Sequence, residues 1–173
     1  MRAVVQRVLS ASVTVNGEVI SSISKGIVVL LGIGKDDTPA DSQYMANKLL
    51  TLKVFDNGEA MWRQSVKDIS GDVLCVSQFT LLANTVKGSK PDFHRAMGSQ
   101  QSKDMYEAFL KRLGELYNPD KIKDGQFGAM MSVSLTNDGP VTFTLDSRKF
   151  EYVQPTPDLS RSQTPQQTPE EDK

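Results

Sequence analysis

The chain is poor in the side chains that usually carry enzyme chemistry. Its 173 residues include one cysteine, Cys75, and one histidine, His94. A His/Cys metal cluster cannot be assembled from one of each, and no metal is expected. A Ser-His-Asp triad would have to run through His94, which sits in a polar stretch with no recognisable partner. Cys75 follows Val73 and Leu74, precedes Val76, and reads as a small buried hydrophobe. A lone cysteine excludes an internal disulfide and fits a reducing compartment. No apolar run is long enough to span a bilayer, and Gln6 and Arg7 break the apolar start, so neither a membrane span nor a signal peptide is expected. These absences lead to an expected location in the cytoplasm. Phosphate-loop and dinucleotide fingerprints are missing too: Gly32-Ile33-Gly34 lacks the rest of the pattern, and no cofactor is expected.

Charge excludes a further class. The formal net charge is −1, whereas a strong nonspecific nucleic-acid binder carries a large basic excess. From Gln154 on, four acids and two bases leave −2, so the remainder is +1. Any RNA contact would therefore be local, through a few lysines and arginines. The same C-terminal stretch, 154–173, is dominated by Pro, Thr, Gln, Ser and acids without an apolar face, and is expected to be a disordered tail behind a domain covering 1–153.

What is present is a series of short strand signals and two helices. Residues 2–10 alternate imperfectly; 11–15 precede Asn16-Gly17, a strong two-residue hairpin signal, with 18–23 as the returning strand. Residues 27–33 form an apolar run suited to a strand buried on both faces. Thr38-Pro39 marks a helix start, with Met45, Leu49 and Leu52 on one face to about residue 53. Another buried-strand run, 73–76, precedes a Gly/Ser/Pro/Lys-rich stretch over 85–101 that suggests a functional loop. A second helix is expected over 103–117 with Tyr106, Phe109 and Leu113 inward, then strands over 132–136 and 141–146 joined by a turn. Without regular βαβ alternation, the pattern implies an α+β fold: a curved, barrel-like sheet with two main helices.

Two segments stand out. Ser77-Gln78-Phe79-Thr80-Leu81 ends one apolar run, and Asn137-Asp138-Gly139-Pro140-Val141-Thr142 ends another. Alone, the first reads as a strand followed by an ordinary turn, and the second as turn formers between strands. X-Pro bonds adopt cis at modest cost, which makes Gly139-Pro140 a candidate for specially shaped backbone. Arg7 and Gln78 read as strand-edge polar residues, and basics such as Lys87 and Lys90 as a solvated surface.

Together, and in this order, the two segments resemble the signature motifs of the D-aminoacyl-tRNA deacylases, also called D-tyrosyl-tRNA deacylases. The resemblance extends to Met1-Arg2-Ala3-Val4-Val5-Gln6-Arg7-Val8, Lys87-Gly88-Ser89-Lys90-Pro91-Asp92-Phe93 and Phe127-Gly128-Ala129-Met130, covering roughly residues 1–150. Ser77 and Phe79, where the animal paralogue has Pro and Ala, resemble the main branch. The resemblance implies hydrolysis of the ester joining a D-amino acid, or mischarged glycine, to the terminal adenosine of tRNA. It implies catalysis at Ser77, Gln78, Phe79 and Thr80, with the Phe79 and Thr80 amides stabilising the oxyanion and the RNA 2′-hydroxyl assisting water. A Thr80 nucleophile is the competing mechanism. It further implies a homodimer in which a cis Gly139-Pro140 enters the partner's site and rejects L-amino acids, supported by Arg7 and Asn137. Phe127, Gly128, Ala129 and Met130 would line the adenosine end, and Lys87 and Lys90 would meet the acceptor strand. The rival reading is a nucleic-acid-binding protein without hydrolytic activity.

Overall fold

The computed structural model describes residues 1–148. The end of the expected domain and the expected tail lie outside the described residues.

Strand β1 (Arg2–Val15) is the spine of the sheet. It is one strand of 14 residues, not the two segments its imperfect alternation suggested. At its end Asn16 and Gly17 both take positive φ, 51° and 85°, as a tight hairpin requires. The chain returns antiparallel as β2 (Glu18–Ile23), with Val15 opposite Glu18. Strand β3 (Gly26–Gly32) pairs antiparallel with the first half of β1, from Val8 opposite Gly26 to Arg2 opposite Gly32.

Helix α1 (Pro39–Thr51) then crosses to β4 (Asp72–Ser77), which lies parallel to β3. Helix α2 (Ser99–Leu116) crosses to the short β5 (Ile122–Asp124), parallel to β4. Two helix-bearing parallel crossovers therefore exist where the sequence showed no regular alternation; parallel pairing needs such a connection. Strand β6 (Ser132–Asp146) returns antiparallel along most of β1, so β2 and β3 share the opposite edge. The result is a mixed six-stranded sheet, nearly closed and barrel-like, with two helices: the expected α+β class.

Strand periodicity divides the interior in two. Ile27, Val29 and Leu31 of β3 join Met45 and Leu49 of α1 and Tyr106, Phe109 and Leu113 of α2 in one core. Val28, from the opposite face of the same strand, joins Val8, Val13, Leu74 and Val76 in another. The approach of β3 to β4 is set by Gly26: a β-carbon there would lie 2.0 Å from the Asp72 carbonyl oxygen. Larger residues cannot occupy this position without parting the strands.

Chain start and sheet end are locked together by charge. The Met1 α-ammonium donates to Asp37 Oδ1 at 2.5 Å and to Ser147 Oγ at 2.6 Å, wholly screened from solvent. Ser147 Oγ donates onward to Asp41 Oδ1 at 2.7 Å, while Asp41 Oδ2 accepts from the Thr38 amide and hydroxyl at the head of α1. Burial alone would raise the Asp41 carboxyl, but the Ser147 hydroxyl and the Thr38 amide and hydroxyl hold it at about 2, against an ordinary 3.8. A carboxyl lowered on folding contributes stability above its unfolded value and loses it as pH falls through the folded one. Stability should therefore drop as pH falls from 3.8 toward about 2, and Asp41→Asn should flatten that limb in urea titrations taken across the window. Parallel limbs in the two proteins would contradict the assignment.

Candidate active site

Strand β4 runs out of the core at Ser77 and ends in a single 3₁₀ turn, Phe79–Leu82. The Gln78 amide donates to the Leu31 carbonyl at 2.8 Å, continuing the β3–β4 ladder one residue past β4. Beyond it the ladder stops. The first amides of such a turn have no partner within it, and among the described residues neither the Phe79 nor the Thr80 N–H has an acceptor. The Leu81 amide is already committed to the Gln78 carbonyl at 3.3 Å. Gln78 Nε2 donates to Thr80 Oγ1 at 2.5 Å, which ties the threonine hydroxyl to an amide rather than to a base.

These residues open onto a cleft of about 650 Å³. Ser77, Gln78 and Phe79 form one side; Phe127, Gly128, Ala129 and Met130 form another. The second wall is a β-turn closed by the Ala129 amide on the Gln126 carbonyl at 3.1 Å, with Gly128 at φ +77° in its third position. Phe79 is 58 % exposed although apolar, and its ring meets the edge of Phe93 at 5.1 Å. The loop between the 3₁₀ turn and α2 supplies Phe93, Ala96 and Met97, and α2 supplies Ser99 and Ser102. Helix α2 begins four residues earlier than the sequence indicated, inside the stretch expected to be loop.

The other expected residues lie elsewhere. Thr80 is exposed beside the cleft, not among the residues that line it. Lys87 and Lys90 are exposed on the loop that carries Phe93, and also do not line the cleft. Arg7, Asn137, Gly139 and Pro140 form a separate cluster. Arg7 pairs with Ile27 on β3, whereas Leu31 of the same strand lines the cleft, about 13 Å further along.

The second motif is not a turn between two strands. Strand β6 continues through it: Asn137 pairs with Val8 and Thr142 with Gln6, five steps along β6 against two along β1. Three residues are looped out, and the neck is closed by Asn137 Nδ2 donating to Thr142 Oγ1 at 2.9 Å. Gly139 and Pro140 are exposed on this loop, and the peptide between them is cis. Arg7 clamps it from below. Its Nη1 donates to the Val54 carbonyl at 2.7 Å, and its Nε sits 3.0 Å from Asp138 Oδ2.

Cys75 and His94 are both placed against a catalytic role. Burial, reinforced by Asp124, pushes the Cys75 thiol up, away from the reactive thiolate. His94 is exposed on the loop, its Nδ1 held by Asp92 Oδ1, and does not line the cleft. Among the described residues, no three His, Cys, Asp or Glu side chains gather as metal ligands.

Similarity follows the same geometry. A family model described as D-Tyr-tRNA(Tyr) deacylase matches residues 4–146. The chain belongs to this family. A D-aminoacyl-tRNA deacylase of Schizosaccharomyces pombe is 52% identical over 149 residues, covering 86% of this chain and 100% of that protein. D-aminoacyl-tRNA deacylase 1 of Homo sapiens is 53% identical over 148 residues, covering 85% of this chain and 70% of its own length. A solved structure, that of a c-Myc DNA Unwinding Element Binding Protein, is 52% identical with a TM-score of 0.81, covering 84% of this chain and 98% of that one.

The two glycines of these motifs separate a conformational cost from a steric one. Both take positive φ, Gly128 at +77° and Gly139 at +119°. A β-carbon on Gly128 meets nothing within 4 Å, whereas on Gly139 it would lie 2.8 Å from Val141 Cγ2 and 2.9 Å from Val141 N. Gly128→Ala should cost about 1 kcal/mol, and Gly139→Ala about 3 kcal/mol because backbone must shift as well. Urea unfolding midpoints check the order; equal losses would contradict it.

Proposed function

We propose that the chain hydrolyses the ester of D-aminoacyl-tRNA, and of mischarged glycyl-tRNA, releasing the free amino acid and intact tRNA. The observation that carries this reading is the pair of unpartnered amides, Phe79 and Thr80, where β4 ends at a cleft. Attack of water on the ester carbonyl builds negative charge on one oxygen. Two fixed N–H donors stabilise that oxygen without having to reorganise, and each such donor is worth roughly 10²–10³ in rate.

Little else is demanded of the protein. An aminoacyl ester is already activated, and the vicinal 2′-hydroxyl of the terminal ribose can guide the attacking water and relay its proton. The tetrahedral intermediate then collapses, the bond to the ribose 3′-oxygen breaks, and that oxygen takes a proton. Thr80 fits this scheme as a spectator: its hydroxyl accepts from Gln78 and has no base beside it.

Selection of hand must act at the alpha carbon, because many D side chains are accepted. Rigid backbone suits that task better than a side-chain pocket. Gly139 and Pro140 are exposed and do not line the cleft of their own chain. This favours a homodimer in which each loop completes the partner's cleft, with Arg7 and Asn137 fixing its shape. The 127–130 wall takes the terminal adenosine, and Lys87 and Lys90 meet the acceptor phosphates. No helix among the described residues is long and apolar enough to cross a membrane; we place the activity in the cytoplasm, where aminoacyl-tRNA is used.

A second reading, nucleic-acid binding without hydrolysis, draws on the similarity to the c-Myc DNA Unwinding Element Binding Protein, whose name describes DNA binding. One assay separates the two. Incubation with D-tyrosyl-tRNA should release D-tyrosine while L-tyrosyl-tRNA stays intact; release from neither would favour binding alone. Thr80→Ala should keep its rate within about tenfold, the effect of weakening one positioning contact. Complete loss with intact folding and tRNA binding would make Thr80 the nucleophile. Mixing a variant disabled at Phe79 with one disabled at Gly139 should restore about one working site per heterodimer, if the loop acts across an interface.

A further inference from the structure

Helix α2 touches the cleft twice. Ser99 and Ser102 line it directly; one turn further on the same face, Tyr106 points into the core at 2 % exposure. Tyr106 does not reach the cleft. Its ring lies 5.7 Å from that of Phe127, tilted by 45°, and Phe127 is the second residue of the turn that forms the cleft wall. That wall is a connection between β5 and β6. It is joined to the sheet by the Gly125 amide on the Cys75 carbonyl at 3.0 Å and closed on itself by Ala129 on Gln126. Gly128 and Met130 are exposed, Met130 at 93 %. Phe127 is the side chain through which the wall packs on the core that holds α1 and α2, while Ala129 packs on the second core, and Tyr106 is the aromatic ring that Phe127 meets.

The Tyr106 hydroxyl contributes differently. It is buried and has no hydrogen-bond partner among the described residues. Desolvation holds the phenol in its protonated form, with Cys75 and Asp124 acting in the same direction. A buried hydroxyl without a partner is a burden to the fold.

Resting on the deacylase reading above, we infer that Tyr106 is a positioning residue. Its ring, and not its hydroxyl, sets where the 127–130 wall stands, and thereby how tightly the cleft holds the terminal nucleoside. Chemistry at the Phe79 and Thr80 amides, which belong to a different segment, is left untouched. Ring loss should therefore weaken binding of the adenosine end and spare the hydrolytic step.

Three variants test this: Tyr106→Leu, Tyr106→Phe and, as a control on the same helix and in the same core, Phe109→Leu. The readouts are KM and kcat on D-tyrosyl-tRNA, adenosine affinity by chemical-shift titration, and Tm. Tyr106→Leu should raise KM and the adenosine Kd about five- to tenfold with kcat within about twofold, the scale of one lost aromatic pair. Tyr106→Phe should keep both constants and match or exceed the wild-type Tm. Phe109→Leu should lower Tm with KM unmoved. The inference is overturned if Tyr106→Leu behaves like Phe109→Leu, or if Tyr106→Phe raises KM as much as Tyr106→Leu. Adenosine binding reads the wall without hydrolysis. A wild type that binds adenosine but releases no tyrosine would sink the deacylase reading alone.

Discussion

The Arg7 guanidinium is the point on which the second motif depends. It stands where β1 meets both β3 and β6, and it reaches in two directions: to the Val54 carbonyl just beyond the end of α1, and to Asp138 at the start of the looped-out segment. Three residues of a central pairing cannot leave the ladder unless something else fixes them. Here the Asn137–Thr142 hydrogen bond closes the neck and Arg7 supports the base. Without such a clamp the loop would be a floppy insertion, unsuited to the selection of hand proposed for it.

The first motif follows the same logic from the opposite side. Parallel pairing of β3 with β4 carries Ser77 to the edge of the core and then ends, because the chain turns into a single 3₁₀ turn. Termination of the ladder is what frees the Phe79 and Thr80 amides. On the proposed reading, catalytic capacity arises from where hydrogen bonding stops, and the scarcity of histidine and cysteine ceases to be puzzling. Polar main-chain groups need only a rigid frame, which two cores on either face of β3 provide.

Much of this frame was legible in local sequence. Asn16-Gly17 and Thr38-Pro39 act through neighbours a few residues away, and each marked its element correctly. The apolar run 27–33 gave a strand buried on both faces for the same reason. Misreadings arose where distant partners decide. Asn137-Asp138-Gly139-Pro140 is rich in turn formers, but pairing with β1 on both sides of the loop keeps the strand going. Helix α2 begins at Ser99, earlier than expected, because its first turn is polar and carries no apolar period to read. Phe93 and Met97 line the cleft from the loop before α2, and Met131 and Val133 from around the start of β6; only the loop carried any signal, through its composition and its resemblance to the family.

The central claim is that backbone donors and the substrate's own ribose perform the hydrolysis. Single-turnover hydrolysis of D-tyrosyl-tRNA lacking the terminal 2′-hydroxyl tests it most directly. The account predicts a rate lower by at least about 100-fold, with binding unchanged, on the scale of a lost proton relay. Hydrolysis at the normal rate would contradict it and return the chemistry to a side chain of the protein.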